Sequence, residues 1–134
     1  MPVQLPSFIV YRSSAGSGKT YSLVKQYLTI ALRDASPSAY VKILAITFTN
    51  NAAAEMKDRI VSRLHDFSHM SALTQDHHAR GLFNDIREVL QLDPMELEVR
   101  SERMLTNVLH HYSRFSVSTI DSFIHRIVRT FARD

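Results

Sequence analysis

The residues best equipped for chemistry stand eight in a row. Ser13-Ser14-Ala15-Gly16-Ser17-Gly18-Lys19-Thr20 combines two glycines with a lysine and a terminal hydroxyl, the set that cradles a polyphosphate. Gly16 and Gly18 let the backbone curl so that successive N–H groups point at phosphate oxygens, and a helix starting behind them adds a favourable partial charge. Lys19 would reach the β- and γ-phosphates, and Thr20 would offer its hydroxyl to the magnesium ion that bridges them. Lys19 and Thr20 are therefore the candidate catalytic residues, Thr20 the candidate metal ligand, and Ser13, Ser14, Ala15, Gly16, Ser17, Gly18, Lys19 and Thr20 the candidate nucleotide contacts. A Gly/Ser-rich turn that merely starts a helix is the alternative reading. The usual pattern opens with Gly, and here Ser13 takes that place.

Such a loop works only between a strand and a helix, and the flanks supply both. Phe8 to Tyr11 is a short apolar, β-rich run behind Pro6 and Ser7, which reads as a buried strand. From Thr20 to about Leu32, Leu23, Tyr27, Ile30 and Ala31 recur on one helical face. After a loop at Ser36, Pro37 and Ser38, the run Val41 to Thr47 predicts a second strand. Asn50 then stands where it can cap a helix with Ala53, Met56, Ile60 and Leu64 on one side. His69 to Gly81 is polar and without period, the mark of a loop or a weak helix start. Asp93, Pro94 and Glu96 resemble an N-cap, a first-turn proline and a capping-box glutamate ahead of Leu97, Ser101, Met104, Leu105, Val108 and Tyr112. Phe115 to Val117 predicts a third strand, and Ser118 or Thr119 can cap a last helix bearing Ile120, Ile124, Ile127, Val128 and Phe131. Alternating strands and helices predict an α/β fold with a parallel sheet, flanking helices and a helical insertion. The expected divisions are 1–68, 69–113 for the insertion, and 114–134.

With these elements in view, three segments together carry a family resemblance. A loop ending Ala15-Gly16-Ser17-Gly18-Lys19-Thr20 without the leading Gly resembles that of the UvrD/Rep/RecB-like superfamily 1 ATP-dependent DNA helicases, in particular the RecB/AddA-like branch. Ile43-Leu44-Ala45-Ile46-Thr47-Phe48-Thr49-Asn50-Asn51-Ala52-Ala53-Ala54-Glu55-Met56 resembles that family's motif Ia, and Val117-Ser118-Thr119-Ile120-Asp121-Ser122-Phe123 resembles its motif Ib. The order matches as well. The resemblance implies a partial RecA-like P-loop NTPase domain of a 3′-to-5′ helicase in repair or recombination, with ATP and Mg2+ as cofactors. Its partners would be single-stranded or partly duplex DNA and the remainder of its own chain, and the branch leaves open an appended nuclease or a helicase-nuclease complex.

In that family motif Ia lies on single-stranded DNA. Thr47 and Thr49 hydroxyls at a strand end can hold phosphates and Phe48 can stack on a base, with Asn50 beside them; Thr119 and Ser122 are the matching phosphate contacts in motif Ib. Each has a plainer alternative: Phe48 as core, Asn50 as N-cap, Thr119 and Ser122 as helix caps. Many relatives carry His where this chain has Asp121, which is a poor neighbour for phosphate. Tyr21 stands where the UvrD branch often has Arg, and can stack on adenine or pack in the sheet. Arg126, Arg129 and Arg133 share a helix face that reads as solvated surface.

Composition agrees and excludes other classes. The 134 residues are 45% hydrophobic and 22% charged with 3 Gly and 4 Pro, a globular profile of one domain or part of one. A net charge of +3 suits a polyanionic partner without proving one. There is no Cys, so disulfides and zinc ribbons are excluded, and His77-His78 and His110-His111 fit no metal-ligand spacing. No apolar run approaches the ~20 residues of a membrane span, and no signal segment opens the chain, so a cytoplasmic location is expected. Hydrolysis would need a carboxylate pair at the end of a later strand and arginines from a second domain; neither is recognisable, and the chain reads as a truncation without turnover of its own. A stand-alone nucleotide-binding module or small-molecule kinase, or a DNA-binding fragment without nucleotide dependence, are the competing classes.

Overall fold

The structure, a computed structural model, describes residues 19–72 and 76–132. Five helices and two short strands are assigned: α1 (Lys19–Leu32), β1 (Ala45–Thr47), α2 (Asn50–Ser68), α3 (His77–Leu90), α4 (Pro94–His110), β2 (Val117–Thr119) and α5 (Ile120–Ala132). The described part is thus mostly helical with a parallel pair of strands, Ala45 against Val117, Ile46 against Ser118 and Thr47 against Thr119. The strand expected at Phe8 to Tyr11 lies outside the described residues.

Helical periodicity explains the core. On α2, Ala53, Met56, Ile60, Leu64 and Phe67 fall three or four residues apart and are all buried. On α3, Ala79, Leu82, Phe83 and Ile86 do the same, and on α4 Leu97, Ser101, Met104 and Val108. These stripes meet Val24, Tyr27, Leu28, Ala31 and Leu32 of α1 in one cluster. Full burial of a side chain such as Leu28 or Ile60 contributes roughly 1.5–3 kcal/mol. The α1 face is turned about one position from the expected one: Val24, Leu28 and Leu32 are buried, while Leu23 and Ile30 are only partly so. Thr29 tolerates burial because its hydroxyl donates to the Lys25 carbonyl at 2.6 Å.

Several local expectations are corrected. Val41 to Thr47 is not one strand, since Ala39–Lys42 forms a 3-10 turn and only Ala45–Thr47 is extended. The cause is tertiary: Tyr40 is fully buried, and its hydroxyl donates to Asn107 Oδ1 of α4 at 2.7 Å. The third strand lies at Val117–Thr119, two residues later than expected, because Phe115 is taken by an aromatic cluster. Its ring meets those of Tyr27, Tyr40 and Tyr112 edge-on at 5.8, 6.2 and 5.9 Å, the favoured geometry for such pairs. Tyr112 accordingly leaves the α4 face for a 3-10 turn.

The polar stretch after His69 contains the start of α3, because Asp76 accepts a hydrogen bond from the Ala79 N–H at 3.0 Å as an N-cap. The helix stops where Gln91 turns left-handed at φ 54°. Asp93 precedes α4 without a side-chain cap, and Glu96 bonds Arg100 at 2.8 Å instead of closing a capping box. Arg100 in turn donates to the Leu32 and Arg33 carbonyls at 3.0 Å each, tying off the C-terminus of α1.

Candidate functional site

Two clusters of candidate residues are placed apart. Lys19 and Thr20, the last two residues of the phosphate-loop motif, open α1, while Ser13 to Gly18 lie outside the described residues. Thr20 is half-buried, and Tyr21 next to it is exposed and not packed in the sheet. The first turn of α1 carries no acidic residue, so nothing opposes the partial positive charge of the helix start. A helix start without an acid suits an anionic phosphate. No hydrogen bond links Thr20 or Tyr21 to the second cluster among the described residues.

The second cluster is built by strand parallelism. Because β1 and β2 run the same way, their C-terminal ends fall side by side, and each feeds almost directly into a helix. Thr47, Phe48, Thr49 and Asn50 are thereby brought beside Thr119 and Ser122, residues 71 apart in the chain meeting where Thr47 Oγ1 lies 3.5 Å from the Ser118 carbonyl. Carboxyl ends of parallel strands are where open α/β sheets bind ligands.

Each side chain on this ledge is specified locally. Thr49, not Asn50, is the N-cap of α2: its Oγ1 accepts from the Ala52 N–H at 3.1 Å. Thr47 Oγ1 donates to the Thr49 carbonyl at 3.1 Å and pins the two-residue turn between strand and helix. That pinning holds Phe48 outward, 76% exposed, so the core alternative for Phe48 does not hold in this arrangement. Thr119 is buried; its hydroxyl donates to Ser122 Oγ at 2.9 Å and accepts from the Ser122 N–H at 3.2 Å. The first turn of α2 has no acid, whereas that of α5 carries the exposed Asp121. Of the two helix starts, α2 is the better disposed to an anion.

Arg126 is the residue that sequence reasoning undervalued. It is exposed, as expected of a solvated face, yet its guanidinium reaches back to donate to Ser118 Oγ at 2.9 Å. The readable signal was spacing, since Ser122 and Arg126 lie one helical turn apart. Arg133 lies outside the described residues. Among the described residues no group of His, Asp or Glu is arranged to hold a metal ion, and no helix is long and apolar enough to cross a membrane.

The order of loop, motif Ia and motif Ib is matched on a larger scale: the UvrD/REP helicase N-terminal domain family aligns with residues 4–134. The chain belongs to that family. Among curated relatives of this UvrD/REP chain, an ATP-dependent helicase/nuclease subunit of Bacillus pumilus (strain SAFR-032) is 31% identical over 92% of it. The protein of the same name from Carboxydothermus hydrogenoformans is 30% identical over 93%. The chain spans 8% of the length of either relative. No solved structure matches it.

Proposed function

We propose that this chain is the ATP-binding portion of an ATP-dependent 3′-to-5′ DNA helicase that moves on single-stranded DNA in repair and recombination. Its fold is then part of a RecA-like P-loop domain, with the helical stretch 69–113 inserted between 1–68 and 114–134. Family membership supports the class, and the names of the relatives support ATP dependence and a partner subunit in a helicase-nuclease complex. The setting is cytoplasmic.

Within that reading, the Ser13 to Lys19 backbone and the Lys19 ammonium grip the phosphates, Thr20 ligates Mg2+ and Tyr21 stacks on the adenine. ATP supplies the free energy that drives movement along the strand. Phe48 stacks on a base, with Thr47, Thr49, Asn50, Thr119 and Ser122 lining the track beside it. The Thr47, Thr49 and Thr119 hydroxyls are also engaged in shaping the ledge, and so hold Phe48 in place for the base. The observation that carries the DNA-wall reading is the outward Phe48, an apolar ring held in solvent at the carboxyl end of parallel strands.

Lys19→Ala tests the nucleotide half. Nucleotide binding should weaken markedly in the 134-residue chain, and ATPase should vanish in the full-length protein; unchanged ATPase there removes the phosphate-loop reading. The 134-residue chain should release no phosphate from ATP, with or without DNA. Its described strands end in Thr47 and Thr119 with no carboxylate pair to anchor the metal and orient water. Turnover that depends on Lys19 and responds to DNA would overturn that statement.

A further inference from the structure

On α5, Ser122 and Arg126 share one face, and Ile120, Ile124, Ile127, Val128 and Phe131 occupy other positions. The guanidinium of Arg126 crosses back over the first turn of its helix to the end of β2, where Ser118 Oγ accepts one N–H at 2.9 Å. Ser118 also stands next to the other strand, its carbonyl 3.5 Å from Thr47 Oγ1. Arg126 is therefore fixed at the same carboxyl edge as Phe48. Arg59, Arg63 and Arg100 are each neutralised by a carboxylate at 2.7–3.1 Å; Arg126 has no such partner among the described residues, and what distinguishes it from other arginines without one is its bond to Ser118 at this edge. A guanidinium has five N–H donors in a planar fork. Bonding to a neutral hydroxyl uses one of them and leaves the charge uncompensated, while restraining a side chain that would otherwise lose freedom on binding.

We propose that Arg126 is a further contact for the nucleic-acid strand, seating one backbone phosphodiester against Ser118 at the carboxyl end of β2. The inference rests on the single-strand reading of the ledge given above. Its competitor is a purely structural tie between α5 and β2, and the two differ in charge dependence. Each phosphate neutralised by a cation on single-stranded DNA contributes about 0.7 to the slope of log affinity against log salt.

The test is a salt titration of the full-length protein with labelled oligodeoxythymidine, comparing parent, Arg126→Gln, Arg126→Lys and Phe48→Ala. Gln keeps a donor for Ser118 but no charge; Lys keeps the charge. Arg126→Gln should lower the slope by about 0.7, so that the parent's advantage shrinks roughly 2.6-fold between about 50 and about 200 mM salt, and Arg126→Lys should keep the parent's slope. A parent slope in Arg126→Gln, or an equal fall in both Arg126 variants, overturns the contact. If Phe48→Ala weakens binding while Arg126→Gln behaves as the parent, the contact fails and the ledge stands. If Phe48→Ala is also without effect, the ledge reading fails and the contact with it.

Discussion

The helical end and the strand end of this molecule treat apolar residues in opposite ways. Across α1 to α4, apolar side chains at helical spacing are covered: Leu28, Ile60, Leu64, Ile86 and Leu97 have no accessible surface or nearly none. On α5 the same spacing yields Ile120, Ile124, Ile127, Val128 and Phe131 all exposed, with Leu44, Ile46 and Phe48 exposed at the strands. Periodicity announces that a face wants a neighbour. It does not say whether the neighbour is among the same residues. The first region is a closed core, and the second is a scaffold that presents its side chains.

Removing equivalent methyl groups from the two regions tests that contrast most severely. Ile60→Ala, at 0% exposure, should cost about 2–5 kcal/mol of the stability of the 134-residue chain. Ile124→Ala, at 50% exposure, should change it by less than about 0.5 kcal/mol. Urea unfolding of both variants decides the matter; a comparable loss in Ile124→Ala would mean that α5 is packed after all.

The next effect belongs to binding. Phe48→Ala should leave that unfolding midpoint in place and cost about 1–3 kcal/mol of single-strand affinity in the full-length protein, whereas a lower midpoint would move Phe48 from the presenting region into the core.

How much of this was legible beforehand follows the same division. Helices α1, α2 and α4 and most of their buried stripes follow from spacing alone, because burial on one face leaves a period in the chain. Thr119 as a cap was legible from its place before Ile120. Tyr40 was not: the run after it, Val41 to Thr47, reads as extended, and the 3-10 turn depends on Tyr40 meeting Phe115 and Asn107, the latter 67 residues away. Thr49 displaced Asn50 as cap because the strand ends two residues before the helix, a boundary that residue type does not mark. Arg126 was placed on the right face, but its reach to Ser118 depends on where β2 ends.

Smaller changes sharpen the picture of the closed region. Gln91 holds a left-handed conformation at φ 54° that glycine adopts without strain. Gln91→Gly should raise stability by about 0.5–1 kcal/mol, read as an increase in the thermal midpoint; a decrease would show that the Gln91 side chain contributes more than its backbone costs.

The Asp76 cap supplies a pH signature. The Ala79 N–H, above all, and the nearby Arg63 charge hold the Asp76 carboxyl below its ordinary value. A depressed folded pKa means that its contribution is present above about pH 4 and is lost as pH falls through the folded value. Asp76→Asn, which can still accept the Ala79 bond, should therefore flatten the acid side of the thermal-midpoint profile slightly. An acid limb identical to the parent's would assign the loss to other carboxylates.

The parallel pairing has a kinetic consequence. Thr47 and Ser118 meet across a separation of 71 residues, and the strand ladder itself is only three residue pairs long. Loop closure must be completed before such a contact returns any free energy, so helices assemble first and the two strands join late. By the same account they part early. In native-state hydrogen exchange the amides of Ala45–Thr47 and Val117–Thr119 should open before those of α2, which makes the edge that carries Phe48 more readily remodelled than that helix.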